Sequence, residues 1–159
     1  MYEVPVSGPA AILSLAQRVA LLNLKTSCEM PDHARPILGI GAGGIVRDAH
    51  LPAYQLAEFE HVGLYDPDVA KAKELAKRFN IPQVFSSMEE AIAAAPEDVV
   101  FDVAVPGGTV RDVIPLLPDG AAVLIQKPLG LDLANARHIC QLCRDKNLTA
   151  AVNFQVRYA

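Results

Sequence analysis

A short apolar segment, Ile37 to Ile40, leads directly into a cluster of glycines, and this junction constrains the fold more than any other feature of the sequence. The cluster fits a G-x-G-x-x-G pattern in two registers, one beginning at Gly39 and the other at Gly41. We prefer the second register because it places the tight turn after the apolar strand, with Gly43 as the second glycine and Val46 in the third position. Such a turn lets the backbone approach a pyrophosphate at the start of the following helix.

An acidic residue stands where a second apolar segment ends. The segment from His61 to Tyr65 is typical of a strand, and Asp66 follows it roughly 20 residues beyond the glycine turn, where a carboxylate can accept hydrogen bonds from a ribose. The nearest cation after Asp66 is Lys71, so nothing adjacent neutralises a 2′-phosphate and NAD is favoured over NADP. A glycine-rich loop beside a helix-capping Asp is the alternative interpretation of the two features.

Strand and helix signals alternate along the rest of the chain. Apolar segments predict six strands, at residues 37–40, 61–65, 84–85, 101–105, 121–125 and 149–154. The strand at 101–105 is interpreted as apolar throughout and buried on both faces. Helix start signals stand between the strands, at Pro67-Asp68, Ser87, Thr109 with Asp112 as a capping box, and Asp132. This alternation predicts an α/β fold with a parallel, doubly wound sheet, for which the glycine turn suggests the Rossmann-type order 3-2-1-4-5-6.

The first 35 residues stand apart from this pattern. A helix-like run follows Gly8-Pro9, and a polar stretch with Pro31 and Pro36 comes after it. We therefore expect a helical extension and linker over residues 1–35 and a dinucleotide-binding domain over residues 36–159. A chain of 159 residues suits one domain with a full hydrophobic core.

Composition argues against several classes of partner. The formal net charge is −4, and the basic residues form no cluster, which disfavours nucleic acid. The most apolar N-terminal stretch, residues 10–24, contains Gln17 and Arg18 and is too short to span a bilayer, so no membrane association is expected. It also lacks the basic segment of a signal peptide, which predicts a cytoplasmic location.

Two cysteines form a C-x-x-C pattern on the last predicted helix. That helix is expected to place five residues on its inner side, namely Leu133, Ala136, Ile139, Cys140 and Cys143. A zinc site needs about four ligands, and no second cysteine pair or histidine cluster is available in the sequence. We therefore expect the cysteines to pack in the core and to bind no metal.

Several short motifs occur in the order and spacing of one enzyme family. They are Gly41 to Ile45 followed by His50-Leu51-Pro52-Ala53, then Tyr65-Asp66-Pro67-Asp68, Asp102 to Pro106, and Gln126-Lys127-Pro128-Leu129. Together they resemble the glucose–fructose oxidoreductase/inositol dehydrogenase family over about residues 37–154. The resemblance implies an NAD(P)-dependent oxidoreductase, a homo-oligomer, that transfers hydride to or from a small carbohydrate-like or polyol substrate.

The resemblance also implies a set of site residues. Lys127 matches the family lysine that lies beside the nicotinamide, where an ammonium group assists a proton to leave as hydride transfers. The expected cofactor contacts are Gly41, Gly43, Gly44, Ile45, Asp66, Pro106, Gln126 and Lys127. His50 matches the His-Leu-Pro segment and is expected to shape the loop near the cofactor. Asn153 matches a common polar position, although a strand-end turn residue is an equally good interpretation.

Two positions depart from the family pattern. Gln126 replaces the usual Glu, and Val110 stands where the family usually has a histidine. Both departures leave open a nucleotide-sensing regulatory protein that kept the fold without the chemistry. The family's second α/β domain, which supplies most substrate contacts, is not found in these residues. We therefore expect this chain alone to bind the cofactor without turning over substrate, and to expose an apolar patch that favours self-association.

Overall fold

A computed structural model describes residues 31–154 of the chain, and the predicted N-terminal helix lies outside this range. Six parallel strands form one sheet in the order β3-β2-β1-β4-β5-β6. The strands are β1 (Ile37–Ile40), β2 (His61–Tyr65), β3 (Val84–Phe85), β4 (Val100–Val103), β5 (Ala122–Gln126) and β6 (Thr149–Asn153). The predicted α/β class and the predicted strand order are both confirmed.

Helices connect the strands. The first connection begins with a π-helical turn, Val46–His50, and the α-helices are α1 (Leu51–Leu56), α2 (Val69–Phe79), α3 (Met88–Ala93), α4 (Val110–Val113) and α5 (Leu133–Asp145). A short 3₁₀-helix, Ile114–Leu116, follows α4 directly. Asp68, Ser87 and Asp132 cap helices with their side chains, as their residue types predict. Thr109 precedes α4 without a side-chain cap, so the predicted capping box is wrong. Its own backbone is helical, whereas a capping residue is typically extended.

One apolar face of the sheet is aligned across three strands. The register pairs Leu38 of β1 with Phe101 of β4, and Phe101 with Val123 of β5. These three side chains are at most 2% exposed and pack with Ile114 and Ile139 from the helical layer. A second cluster lies around Leu64, Leu75 and Val46. This second cluster packs the helix after the glycine turn and α2 against β2.

The interpretation of the fourth strand as apolar throughout is wrong. Asp102 lies in β4 and is 2% exposed. Side chains alternate between the two faces of a strand, so Asp102 leaves the apolar face to its neighbours Phe101 and Val103. Gly39 is its partner in the β1 register. A Cβ at Gly39 would lie 2.7 Å from Leu64 Cδ1 and 3.1 Å from His61 Cε1, so this glycine leaves room for side chains on the Asp102 face.

The predicted inner side of the last helix is partly wrong. Leu133 is 65% exposed, whereas Ile139 and Cys143 are buried. Ala136 and Cys140 are partly buried. Leu133 is the first residue of α5, and this end of the helix lies outside the packed layer.

Candidate functional site

A cleft of about 760 Å³ opens at the carboxyl ends of the central strands. Five of the predicted cofactor residues line it, namely Gly41, Gly43, Gly44, Asp66 and Pro106. They follow β1, β2 and β4, which neighbour one another in the sheet. In open α/β sheets, ligands bind in the crevice outside the carboxyl ends of the strands, where the strand order reverses. In this order the reversal falls between β1 and β4.

Gly41 makes the turn that the preferred register assigns to it. Its φ is +109°, a conformation that a residue with a side chain rarely adopts. A Cβ at this position would lie 2.5 Å from the Ala104 carbonyl oxygen, so the loop after β4 packs directly on the glycine. Gly39, the first residue of the rejected register, lies inside β1.

The backbone after this turn offers open donors. Nothing lies within 4 Å of a Cβ built at Gly43, so the cleft reaches the main chain there. The chain is helical from Gly44 onward. The N–H groups in the first turn of a helix have no partner within the helix, and its positive end favours anions. This segment therefore fits the pyrophosphate of a dinucleotide.

Asp66 holds the loop that it faces. Its Oδ2 accepts a hydrogen bond from the Ala42 N–H at 2.7 Å, and its Oδ1 accepts one from the Asp68 N–H at 2.8 Å. The carboxylate thus ties the end of β2 to the middle of the glycine turn. Each oxygen retains a further lone pair, because a carboxylate can accept about four hydrogen bonds, and Asp66 lines the cleft.

Two cations line the same cleft, and each has a carboxylate neighbour. Arg47 Nε lies 2.7 Å from Asp48 Oδ1, and Lys71 Nζ lies 3.1 Å from Asp68 Oδ2. Both pairs are largely exposed, so each is worth little in stability. Arg47 was not recognised from the sequence as a group near Asp66, because the loop and helix bring it to the cleft.

Three predicted site residues are not brought into the cleft. Ile45, Gln126 and Lys127 are absent from the described residues that line it. Lys127 follows β5 and is exposed, with a cis peptide bond to Pro128. The Gln126 side chain is 4% exposed and turns into the interior. Val110 is fully buried in the core, where it contributes packing.

Gln126 belongs to a connected set of polar side chains, which we call the polar cluster: His50, Tyr54, Asp102, Gln126 and Asn153. His50 Nδ1 lies 2.7 Å from Asp102 Oδ2, and His50 Nε2 lies 2.6 Å from Gln126 Nε2 and 3.3 Å from Asn153 Nδ2. The Tyr54 hydroxyl donates to Asp102 Oδ2 at 2.9 Å. Burial and the neighbouring carboxylate raise the pKa of Tyr54, which keeps its proton available for donation.

Sequence reasoning missed the Asp102 and Tyr54 members of this cluster. One signal was present, since a carboxylate between Phe101 and Val103 in a buried strand requires a partner. His50 was recognised, and its burial agrees with a structural role. A second histidine, His61, packs 6.0 Å from the Tyr54 ring, and neither of its ring nitrogens has a hydrogen-bond partner among the described residues. Burial lowers the pKa of His61 to about 4.

The sheet order and the cleft define a Rossmann-type nucleotide-binding domain. The family model described as an oxidoreductase family with an NAD-binding Rossmann fold matches residues 37–154, and the chain belongs to that family. It is the glucose–fructose oxidoreductase/inositol dehydrogenase family that the motifs predict. The part of the chain from residue 31 to residue 154 has no helix long and apolar enough to cross a membrane.

Characterised relatives and solved structures agree with this assignment. The chain is 28% identical over 120 residues to D-xylose 1-dehydrogenase (NADP(+)) 2 of Haloferax volcanii, covering 75% of this chain and 37% of that protein. It is 31% identical over 112 residues to trans-1,2-dihydrobenzene-1,2-diol dehydrogenase of Mus musculus, covering 69% and 33%. An Agrobacterium radiobacter oxidoreductase crystallised with NAD+, L-tartaric acid and magnesium shares the fold, with a TM-score of 0.68 at 18% identity over 79% and 36% of the two chains. The chain thus spans about a third of the length of these proteins.

Proposed function

We propose that this chain forms the nucleotide-binding part of an oxidoreductase that transfers hydride between NAD and a hydroxyl-bearing carbon of a carbohydrate-like or polyol substrate. The cleft between the glycine turn and Asp66 carries the proposal, because an open main chain at a helix start and a carboxylate at the neighbouring strand end suit the two halves of a dinucleotide. Relatives named as sugar and diol dehydrogenases support the substrate class.

In this proposal the main chain holds the pyrophosphate. The N–H groups of Gly43, Gly44 and Ile45 stand at the start of the helix that follows the turn, and Gly41 shapes that turn. Asp66 accepts hydrogen bonds from the adenosine ribose. Pro106, which follows β4, also lines the cleft. The bound nicotinamide supplies the hydride donor or acceptor for the reaction.

Lys127 is proposed as the catalytic residue. It leaves the sheet at the carboxyl end of β5, on the far side of β4 from the glycine turn. In the reducing direction, an ammonium group there can hydrogen-bond the substrate oxygen and donate the proton that this oxygen takes up as hydride reaches the carbon. In the oxidising direction the neutral amine takes up the hydroxyl proton. Such general acid–base catalysis is typically worth roughly 10²–10⁴ in rate. In the full-length protein, Lys127→Met should lower kcat by such a factor while NADH affinity stays close to normal. The exposed Lys77 of α2 provides the matched control as Lys77→Met. An unchanged kcat for Lys127→Met would remove Lys127 from the chemistry.

NAD rather than NADP is the proposed cofactor. Asp66 repels a 2′-phosphate, and both cations that line the cleft are already next to carboxylates. Relatives and solved neighbours include proteins described with either cofactor. Dissociation constants for NADH and NADPH test the preference, and tighter binding of NADPH would contradict it. Asp66→Ala should weaken NADH binding by roughly tenfold or more, while the exposed Asp119→Ala should leave it unchanged.

The chain of 159 residues is expected to bind NADH but not to turn over substrate. Hydride transfer requires the substrate carbon to be held close to the nicotinamide, and such positioning is worth roughly 7–11 kcal/mol. The relatives are about three times as long as the matched segment, so we assign substrate contacts to their additional part. Cofactor titration of this chain, with sugar and polyol assays of this chain and of the full-length protein, tests the assignment. Equal turnover by the two would place the substrate site within this chain.

A regulatory, nucleotide-sensing protein is the second candidate. It is favoured by position 110, where a buried valine offers no acid or base, and by Gln126, whose side chain faces the interior. The full-length protein would then bind NADH without oxidising or reducing any member of a sugar and polyol panel. Under either function we propose a cytoplasmic homo-oligomer, and sedimentation of the full-length protein would test its oligomeric state.

A further inference from the structure

A side chain that faces the interior holds the backbone of Lys127. Gln126 is the last residue of β5, and its Oε1 accepts a hydrogen bond from the Lys127 N–H at 2.7 Å. The amide nitrogen of the same side chain lies 2.6 Å from His50 Nε2. Gln126 therefore connects the residue that leaves the sheet to a buried imidazole, which is itself 5% exposed.

The directions of these hydrogen bonds allow one arrangement. A backbone N–H only donates, so the oxygen of Gln126 faces Lys127 and its NH₂ group faces His50. An amide NH₂ also only donates, so His50 Nε2 accepts and the ring proton lies on Nδ1. That proton is donated to Asp102 Oδ2, 2.7 Å away. The Asn153 amide nitrogen, 3.3 Å from the same Nε2, is consistent with an acceptor there.

Packing alone does not explain a carboxylate at position 102. Its Oδ2 accepts from both His50 and Tyr54, while its Oδ1 has no partner among the described residues. A buried carboxylate with an unsatisfied oxygen costs stability that a well-packed apolar group would not. The carboxylate provides orientation instead. An acceptor beside Nδ1 keeps the ring proton on that nitrogen and leaves Nε2 free to accept.

We propose that Asp102, His50 and Gln126 are positioning residues that act in series on Lys127, and we call these three residues the relay. Asp102 sets the tautomer of His50, His50 sets the orientation of the Gln126 amide, and the amide oxygen holds the Lys127 N–H. Gln126 thus acts through the interior, without its side chain reaching the cofactor. The effect on turnover rests on the proposed role of Lys127, whereas the tautomer and the anchored N–H do not depend on it.

The first test is the tautomer of His50 in the unsubstituted chain. Nitrogen-15 NMR of the histidine rings distinguishes a proton on Nδ1 from a proton on Nε2. We expect a proton on Nδ1 and none on Nε2. A proton on Nε2 alone, or on both nitrogens, would overturn the proposal.

Gln126→Glu provides a second tautomer measurement. A carboxylate cannot donate a hydrogen bond, so its contact with His50 would require a proton on Nε2. We expect the ring in this variant to carry protons on both nitrogens, held between Glu at 126 and Asp102. A ring that remains protonated on Nδ1 alone would show that the side chain at 126 does not control His50.

Hydrogen exchange of the Lys127 N–H tests the anchoring. Gln126→Leu removes the acceptor, and Asp102→Leu removes the group that orients the relay. Each should speed exchange at Lys127 by roughly tenfold or more relative to the Leu64 N–H in β2, which bonds to Gln83. Asp102→Asn keeps an acceptor beside Nδ1 and should recover most of the protection. Loss of protection at both amides alike would indicate a merely structural role and overturn the relay, and Gln126→Leu decides the matter if Asp102→Leu does not fold.

Kinetics of the full-length protein separate this proposal from the proposed function. Gln126→Leu should lower kcat roughly tenfold with little change in the KM for NADH, while the exposed Asp119→Asn should change neither. If Lys127→Met leaves kcat unchanged, the proposed chemistry fails, but the tautomer and exchange results still decide the relay. If Lys127→Met is inactive and Gln126→Leu is fully active, the relay does not position Lys127.

Discussion

The cleft at the glycine turn and the polar cluster occupy neighbouring parts of one sheet, but the first is formed largely by main chain and the second by side chains. The cleft is open and presents main chain beside the Asp66 carboxylate at the end of β2. The polar cluster presents side chains, and His50, Asp102 and Gln126 are each at most 5% exposed. One site depends on the absence of side chains at glycines, and the other depends on the exact complement of donors and acceptors.

The two regions also differ in how far apart their parts lie in the sequence. The glycine turn lies within one short segment, and its contact with Asp66 spans 24 residues. In the polar cluster, His50 reaches Asp102, Gln126 and Asn153 over separations of 52, 76 and 103 residues. A compact motif can be recognised in the amino-acid sequence, whereas the residues of the polar cluster come together only when the sheet has formed. Substitutions in the two regions should therefore differ in how much they change stability and how much they change NADH affinity.

The largest effect is expected at Gly41. Gly41→Val combines a positive φ with a Cβ 2.5 Å from the Ala104 carbonyl oxygen, which together should cost roughly 4 kcal/mol of unfolding free energy. Gly43→Ala is the matched partner, since no atom lies within 4 Å of its Cβ. It should fold normally and lose NADH affinity, because the methyl group occupies the space left for the ligand. Denaturant unfolding and NADH titration measure both, and equal destabilisation by the two variants would contradict this distinction.

Substitutions in the polar cluster should lower the free energy of unfolding more than they weaken cofactor binding. Asp102→Leu leaves the His50 ring N–H and the Tyr54 hydroxyl without their acceptor, at a cost of roughly 2–4 kcal/mol. NADH affinity of the folded variant should change little, because Asp102 does not line the cleft. Chemical denaturation checks the first statement and titration the second. A variant as stable as the unsubstituted chain would mean that the buried carboxylate is dispensable.

A pH effect of similar or smaller size is expected from His61, which adjoins the polar cluster. Its pKa is lowered by burial to about 4, while an unfolded histidine titrates near 6.5, so the unfolded chain binds more protons between these values. Stability should therefore fall as pH decreases through this window, by roughly 3 kcal/mol in all. His61→Leu should flatten the slope, while the exposed His138→Leu should retain it. An unchanged slope in His61→Leu would assign the effect to other groups.

The smallest effect is expected at Cys143, which belongs to neither region. It packs against the core and is 8% exposed, and Cys143→Ala should cost roughly 1 kcal/mol through the small void that it leaves. NADH binding should be unaffected, and Cys140→Ala should cost less because Cys140 is only partly buried. Metal analysis of the purified chain is expected to show no stoichiometric zinc. A bound metal that disappears in Cys143→Ala would replace packing with ligation as the role of this pair.

Much of the fold could be predicted from the amino-acid sequence because the sequence features that specify it are local. Apolar runs, side-chain caps at Asp68, Ser87 and Asp132, and a glycine turn after the first strand each act within a few residues. Two of the wrong predictions, at Thr109 and Leu133, also concern local features. Thr109 has a favourable residue type but a helical backbone, and Leu133 has the right periodicity but stands at the exposed start of α5.

By itself, the sequence determined the class of fold and the glycine register, since each depends on chemistry within a few residues. The strand order and the acidic residue that faces the turn followed from the sequence only by analogy with the dinucleotide-binding motif. Tertiary structure alone decided which polar side chains meet inside the sheet and which way Gln126 points. The physical reason is that burial makes every donor and acceptor require a partner, and the partner is chosen by strand register rather than by neighbours in the chain. Asp102 and His50, 52 residues apart in the chain, meet only because the sheet and the helix after the glycine turn bring them together.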